Sequence, residues 1–194
     1  MIVSPYSVIS EKLLPDHVCQ DIIDVAFQQK EQDATVQAGP TDGIRDSRVV
    51  WLRDTWIYDW VAPAMSQLNS QLEWNFNLTE PEPIQFTIYK KGHFYGWHQD
   101  TFEPELNKSM SHQRKISAVI PLVDSDSYEG GDLQFYNSAI HPNKKQEDKI
   151  EFFEQSRIKG SMIVFPSYVY HQVTPILSGQ RLSIVIWYQG EKWQ

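Results

Sequence analysis

The chain has 194 residues, 41% of them hydrophobic and 22% charged, with a formal net charge of −8. That length and balance suit a folded domain with a sizeable core and argue against a disordered chain. The acidic balance, with no Lys/Arg run longer than two, counts against DNA or RNA as a partner, and the single cysteine, Cys19, allows no intrachain disulfide.

The first residues, Met1 to Tyr6, lack the basic region and apolar run of a signal peptide. No stretch approaches the roughly 18 consecutive apolar residues of a membrane span. The expectation is a cytoplasmic protein with no membrane partner. A helix is predicted from Asp16, its cap, to about Gln32, with Val18, Ile22, Val25 and Ala26 on one stripe and Cys19, Ile23 and Phe27 beside it. A polar loop, Ala38 to Ser47, precedes a short strand from Arg48 to Leu52. Asp54 then caps a second predicted helix carrying Trp56, Trp60, Ala64 and Leu68 at a four-residue spacing.

Near residue 80 the pattern changes to strands. Ile84, Phe86 and Ile88 alternate with polar residues, and Ile116 to Val123 is a nearly continuous apolar run. Leu133 with Phe135, Ser161–Phe165, Tyr170–Thr174 and Leu182–Tyr188 follow, separated by turn-forming residues. Helices before many short strands indicate an α+β layout with a sandwich or barrel-like jelly roll. One domain over 1–194 is expected, with a helical support region at 1–80 and the β core at 81–190. Thr101–Arg114 and the charged stretch His141–Lys149 read as exposed loops.

His98-Gln99-Asp100 carries the first chemical signal. In a strand, residues two apart share a face, so the imidazole and the carboxylate can reach one metal. His171 is the best third ligand, opening the strand after Pro166. Two His and one carboxylate on one face of an octahedron leave three open positions, an arrangement suited to Fe(II) that must bind a cosubstrate and O2 together. Arg181, with Ser183 two residues on, offers a fork of donors for the distant carboxylate of an anionic cosubstrate.

At this point the chain resembles the prolyl 4-hydroxylase-type branch of the 2-oxoglutarate/Fe(II) oxygenases, including its bacterial and phage hydroxylases. Tyr89, Gly92, Tyr95, His98 and Asp100 reproduce the family's Tyr-x2-Gly-x2-Tyr-x2-His-x-Asp pattern. Arg114, Ser117, Leu122, Gly130-Gly131, Leu133 and Phe135 match its central strand, turn and next strand. Gly160, Phe165, Pro166, His171, Val173, Pro175, Gly179, Arg181 and Trp187 match its last segment. Upstream, Arg48-x2-Trp51-Leu52 resembles the strand before the second helix in this group.

The resemblance implies a double-stranded β-helix, a distorted jelly roll with supporting N-terminal helices, and an Fe(II)/2-oxoglutarate dioxygenase core at 81–190. It implies iron ligation by His98, Asp100 and His171, and binding of the C5 carboxylate of 2-oxoglutarate by Arg181, with a Tyr89 hydroxyl near that cosubstrate. It implies hydroxylation of a C–H bond with O2 as cosubstrate, release of succinate and CO2, and ascorbate as reductant. The favoured target is a proline in a peptide or protein. The same chemistry on another side chain, a free amino acid or a small metabolite is the alternative. A non-catalytic jelly-roll binding module is the alternative of another class, against which the intact triad and Arg181 argue. One position departs from the pattern: where several members carry a Tyr on the central strand, this chain has Pro121, and Ser183 or Tyr89 can replace that carboxylate contact.

The remaining histidines read differently. His17 is structural or exposed, His93 either supports the turn before the triad or touches substrate, and His112 and His141 fall in predicted loops. Gly130-Gly131 lacks the spacing of a phosphate loop and reads as a turn or bulge. Tyr95, Trp97 and Trp187 are either core residues or aromatic faces suited to a proline ring. Trp97 is expected to face away from His98. The loops 38–47 and 101–114 are placed to close over a peptide.

Overall fold

The computed structural model describes residues 2–3, 8–10, 12–35, 43–101, 111–137, 145 and 147–192. In chain order the elements are β1 (Ile2–Val3), β2 (Val8–Ser10), α1 (Asp16–Phe27), β3 (Gln32–Asp33), β4 (Arg45–Asp46) and β5 (Arg48–Leu52). Next come α2 (Trp56–Gln71), β6 (Leu78–Pro81), β7 (Ile84–Tyr89), β8 (Phe94–His98), β9 (His112–Pro121) and β10 (Tyr128–Gly130). The last are β11 (Leu133–Tyr136), β12 (Ile150–Phe152), β13 (Met162–Pro166), β14 (His171–Val173), β15 (Ile176–Gly179) and β16 (Arg181–Glu191).

The strands make two main sheets. The larger runs β1-β2-β13-β9-β16-β7-β5-β3, with β6 added to β16; the smaller runs β12-β11-β14-β8-β4. β10 and β15 form a separate antiparallel pair. Strand periodicity sorts the larger sheet into two faces. Ile84, Phe86 and Ile88 of β7, Ile116, Ala118 and Ile120 of β9, and Leu182, Ile184 and Ile186 of β16 pack in one buried cluster with α1 and α2. The intervening residues turn the other way. Tyr89, Val119, Ile163 and Phe165 meet Leu133, Phe135 and Val173 of the smaller sheet in a second cluster. The result is the α+β, double-stranded β-helix layout with its helices on one side.

Several local expectations need correction. α1 ends at Phe27, five residues short of Gln32, because Gln32–Asp33 pairs as β3 with Arg48 and Val49. Asp16 is the first residue of α1 rather than its cap; Pro15 holds the cap position, and the Asp16 carboxylate pairs with Lys12 at 3.1 Å. The cap of α2 is Thr55, not Asp54. The buried residues of α2 are Ile57, Val61, Met65 and Leu68; of the expected row Leu68 is among them, Trp56 and Ala64 pack partly buried against the core, and Trp60 is exposed. His112 opens β9 instead of lying in a loop.

Other expectations hold. His17 is exposed, Cys19 is fully buried, and Trp97 is exposed beside Tyr136. Gly130 and Gly131 have φ of 72° and 66° at a β-bulge, the left-handed conformation that favours glycine. Of the charged stretch, Lys145 and Glu147 are exposed and 3.6 Å apart. Residues 38–42, 102–110, 141–144 and 146 of the expected loops, His141 among them, lie outside the described residues.

Candidate active site

His171 and His98 are register partners across β14 and β8, so the ladder itself brings together two residues far apart in the chain. Asp100 arrives differently. β8 ends at His98, so the two-residue strand period does not carry Asp100 to the same face. A backbone clasp does: the Ser167 carbonyl accepts the N–H groups of Asp100 and Thr101 at 2.9 and 3.0 Å. The ligand atoms of His98, Asp100 and His171 all lie within 4.8 Å of one another. Asp100 Oδ1 is 3.7 Å from His98 Nε2, and Oδ2 is 3.7 Å from His171 Nε2.

The protonation pattern suits ligation. His98 Nδ1 lies 2.8 Å from the Gly96 carbonyl and His171 Nδ1 lies 2.9 Å from the Val169 carbonyl. A carbonyl can only accept, so each Nδ1 carries a hydrogen, and in the neutral ring the lone pair lies on Nε2, the nitrogen nearer Asp100. Burial, then the neighbouring His171, hold the His98 pKa down at about 3, against the pull of Asp100. Burial pushes Asp100 up, but His171, His98 and Arg114, with the Ser117 hydrogen bond, outweigh it and hold the carboxyl at about 2. Near neutral pH the site therefore offers a neutral imidazole at His98 and an anionic carboxylate. Two imidazole nitrogens and one carboxylate oxygen, converging and largely withdrawn from water, are a donor set that fits Fe(II).

Rings fix these ligands from behind. Tyr95 stacks on His98 with centroids 3.4 Å apart and an interplanar angle of 9°. The Arg45 guanidinium lies 4.5 Å from the other partner in this stack, the Tyr95 ring. Burial pushes the Tyr95 hydroxyl up to about 12, so it stays protonated. Phe165 meets His171 edge to face at 4.6 Å.

A cleft open to solvent, about 380 Å³ with the solvent at its mouth included, extends from the triad along the inner face of β7 and β16. Tyr89, Arg181 and Ser183 all line it. Arg181 is 2% exposed and donates to Ser183 Oγ at 3.0 Å, with its guanidinium carbon 5.5 Å from the Tyr89 ring. Among the described residues no carboxylate forms an ion pair with it. A buried guanidinium without a counter-charge is unfavourable, and the cavity beside it fits an anion. Gly131 makes room for this side chain: a Cβ there would stand 3.0 Å from Arg181 Cδ.

Gln85, Ser117 and Ser167 take part in the site although the sequence pattern assigned them no role there. Gln85 lines the cavity and donates to Thr87 Oγ1 at 2.9 Å. Trp187 also lines it, and its indole N–H is buried without a hydrogen-bond partner among the described residues. Ser117 donates to Asp100 Oδ2 at 2.6 Å and lies 2.9 Å from Ser167 Oγ. A signal for Ser117 existed: it is the one hydroxyl in the apolar stretch 116–120. Nothing local marks Ser167. His93 lies outside the triad, 3.8 Å from the Asp46 carboxylate.

The family model of the 2OG-Fe(II) oxygenase superfamily matches residues 84–189. Among curated proteins, a PKHD-type hydroxylase of Teredinibacter turnerae is 32% identical over 111 residues, 56% of this chain and 43% of that protein. One from Shewanella sp. (strain ANA-3) is 30% identical over the same shares. The match thus spans less than half the length of these relatives. Among solved structures, a Pseudomonas putida prolyl-4-hydroxylase superposes with a TM-score of 0.68 at 22% identity, covering 96% of this chain and 93% of that one. A viral collagen prolyl hydroxylase from Paramecium Bursaria Chlorella virus-1, in its 2OG complex, gives 0.70 at 18%, covering 95% and 96%. A Trichoplax adhaerens prolyl hydroxylase, in complex with a hypoxia inducible factor peptide fragment, gives 0.72 at 18%, covering 95% and 84%. At these identities the structures show a shared fold.

Proposed function

Because the chain belongs to the 2OG-Fe(II) oxygenase superfamily, we propose that it is a 2-oxoglutarate-dependent dioxygenase that hydroxylates a proline in a peptide or protein. The carrying observation is the pairing of two features in one cavity: a convergent His98–Asp100–His171 set and, deeper along the same wall, the buried cation of Arg181. Iron and 2-oxoglutarate, bound there, would supply activation of O2 for insertion of one oxygen atom into a C–H bond, with succinate and CO2 as products.

The chain's own residues have separable tasks in this reading. His98 and His171 present Nε2 lone pairs, their Nδ1 hydrogens being engaged by backbone carbonyls. Asp100 supplies the negative charge. Arg181 binds the C5 carboxylate of 2-oxoglutarate through its fork of donors. Ser183 accepts from Arg181, which leaves its own hydroxyl hydrogen free for the same carboxylate. That contact replaces the one lost with Pro121, which lies opposite Ser183 in the β9–β16 ladder. The Tyr89 hydroxyl is a further donor beside the cosubstrate. Val119, Leu133, Val173 and Val185 line the rest of the cavity and keep water from it.

For the target, Tyr95 and Trp187 line the cavity as apolar bulk for a pyrrolidine ring, with His98 and Arg45 lying against the Tyr95 ring and Arg114 against the Trp187 ring. The prolyl hydroxylases of the same fold, one of them bound to a peptide fragment, support a peptidyl substrate. Ascorbate as reductant and a cytoplasmic setting belong to the same proposal, as does a single domain in which 1–80 supports the core at 81–190. The test is 2-oxoglutarate consumption by the Fe(II)-loaded protein, with and without a proline-containing peptide library read by mass spectrometry. Turnover stimulated by peptide, with one oxygen gained on proline, is the expected result. Oxygen gained on another residue, or turnover only with a free amino acid, would overturn the proline assignment. Metal binding with no turnover under any condition would overturn the enzymatic one.

A further inference from the structure

Ser117 and Ser167 are both fully buried. Ser117 stands at the middle of β9, on the face that carries Val119, and its hydroxyl donates to Asp100 Oδ2 at 2.6 Å. The Ser167 hydroxyl lies 2.9 Å behind it. Ser167 is itself fixed, since its N–H donates to the Lys115 carbonyl at 2.9 Å and its carbonyl takes the Asp100 and Thr101 N–H groups. One residue thus holds the Asp100 backbone directly and extends the hydrogen-bond chain that ends on the Asp100 side chain. It also stands four residues before His171, on the connection between β13 and β14.

We propose that Ser117 and Ser167 are positioning residues that make Asp100 a one-oxygen ligand: Oδ2 is retained by the Ser117 hydroxyl, and Oδ1 is left to the metal. The inference rests on the metal reading of the triad. Its physical basis is the competition for the second carboxylate oxygen. A hydrogen bond to an ionised acceptor is among the stronger ones and is strengthened further by burial. With Oδ2 so engaged, three protein atoms would hold the metal, and the rest of its coordination sphere would stay open to a chelating 2-oxo acid and O2. Without the hydroxyl, the carboxylate loses the hydrogen bond that fixes its orientation, and its second oxygen is free to compete for an open position. The Ser117–Ser167 contact orients the Ser117 hydroxyl so that its hydrogen points at Asp100 and not at its neighbour. In this arrangement Ser167 donates to Ser117, and Ser117 donates to the carboxylate.

The test uses Co(II) as a spectroscopic substitute, with the full chain, in wild type, Ser117→Ala, Ser167→Ala and the double variant. Binding is followed by titration and by the visible d–d absorption of the bound ion, and thermal melting of the metal-free proteins controls for folding. The expected results are a loss of Co(II) affinity of about 10–100-fold in Ser117→Ala with a shifted d–d spectrum. A smaller loss is expected in Ser167→Ala, and the double variant should match Ser117→Ala because both act through one chain of hydrogen bonds. Wild-type affinity and spectrum in Ser117→Ala would overturn the proposal, as would losses that multiply in the double variant. If Ser117→Ala does not fold, Ser167→Ala decides alone, and an unchanged affinity and spectrum there overturns it. A wild-type protein that takes up no Co(II) at the triad would instead overturn the metal reading itself.

Discussion

His171 stands directly opposite His98 in the β14–β8 ladder, with the two imidazole centroids 4.1 Å apart. A ladder pair is one of the most rigid relationships a backbone can make, since register fixes both spacing and facing. The two nitrogen donors are therefore set by the sheet, and the carboxylate is brought in by the Ser167 clasp. Replacing His98 or Asp100 with Ala should lower Co(II) or Fe(II) affinity by at least about 100-fold, more than a change of an outer partner would. Titration of the metal-free variants measures this. Wild-type metal content in one of these variants would remove the replaced residue from the ligand set.

Arg181 gives a prediction of opposite sign for binding and stability. Arg181→Met removes a buried charge that lacks an acidic partner among the described residues. Affinity for 2-oxoglutarate should fall about 100-fold, the scale of a lost charge-assisted pair. The melting temperature of the ligand-free protein should hold or rise, because an uncompensated buried charge disfavours the fold. Arg181→Lys should be intermediate in affinity, with the charge kept and the fork lost. Calorimetric titration and thermal melting read the two effects separately.

Acid sensitivity of the metal-free protein follows from His98 and Asp100. His98 titrates at about 3 in the fold against 6.5 ordinarily, and Asp100 at about 2 against 3.8. In each interval the unfolded chain binds more protons than the folded one, so stability falls as pH falls. The His98 contribution is fully present above pH 6.5 and is lost progressively toward pH 3; the Asp100 contribution is lost between 3.8 and 2. Between pH 6.5 and 4 the slope for His98 approaches about one proton. Melting curves of chelator-treated wild type and His98→Gln should differ by that slope, the variant being flatter. Parallel curves would contradict it.

Gly131→Ala should damage two properties at once. The residue has φ of 66°, and an added Cβ would meet the Ile176 side chain and press on Arg181 Cδ. The strained backbone alone should lower stability by about 1–3 kcal/mol in urea unfolding. Displacement of Arg181 should also weaken 2-oxoglutarate binding. A stability loss with unchanged 2-oxoglutarate affinity would mean that the bulge does not help to place the guanidinium.

Much of the site was legible in the sequence because its residues occur in an ordered pattern of types. The strand from Arg48 to Leu52 has the bounds expected, and the alternation around Phe86 and the run Leu182–Tyr188 marked two further strands. The second helix is present where expected, but its four-residue row omits Ile57, Val61 and Met65, because Trp56 and Trp60 outweigh them in bulk while tertiary packing puts the smaller residues at the centre of the core. Strands of two to four residues, such as β4, β6 and β15, are too short to show a period; only their partners define them. The reason given for Asp100 was also incomplete. Its place beside His98 depends on a carbonyl 67 residues away in sequence, and no local pattern carries that information.

The two-faced character of β16 has a consequence for how the protein tolerates change. Leu182, Ile184, Ile186 and Tyr188 belong to the helix-side core, while Arg181, Ser183, Val185 and Trp187 face the cavity. A saturation scan along this strand should alternate residue by residue between variants that reduce abundance and variants that remain abundant but lose ligand binding. Deleting one residue near its middle would exchange the two roles for everything beyond the deletion, placing ligand-contacting positions against the helices and oily ones in the cavity. The strand can therefore drift in composition at either set of positions independently, but its length is fixed by both.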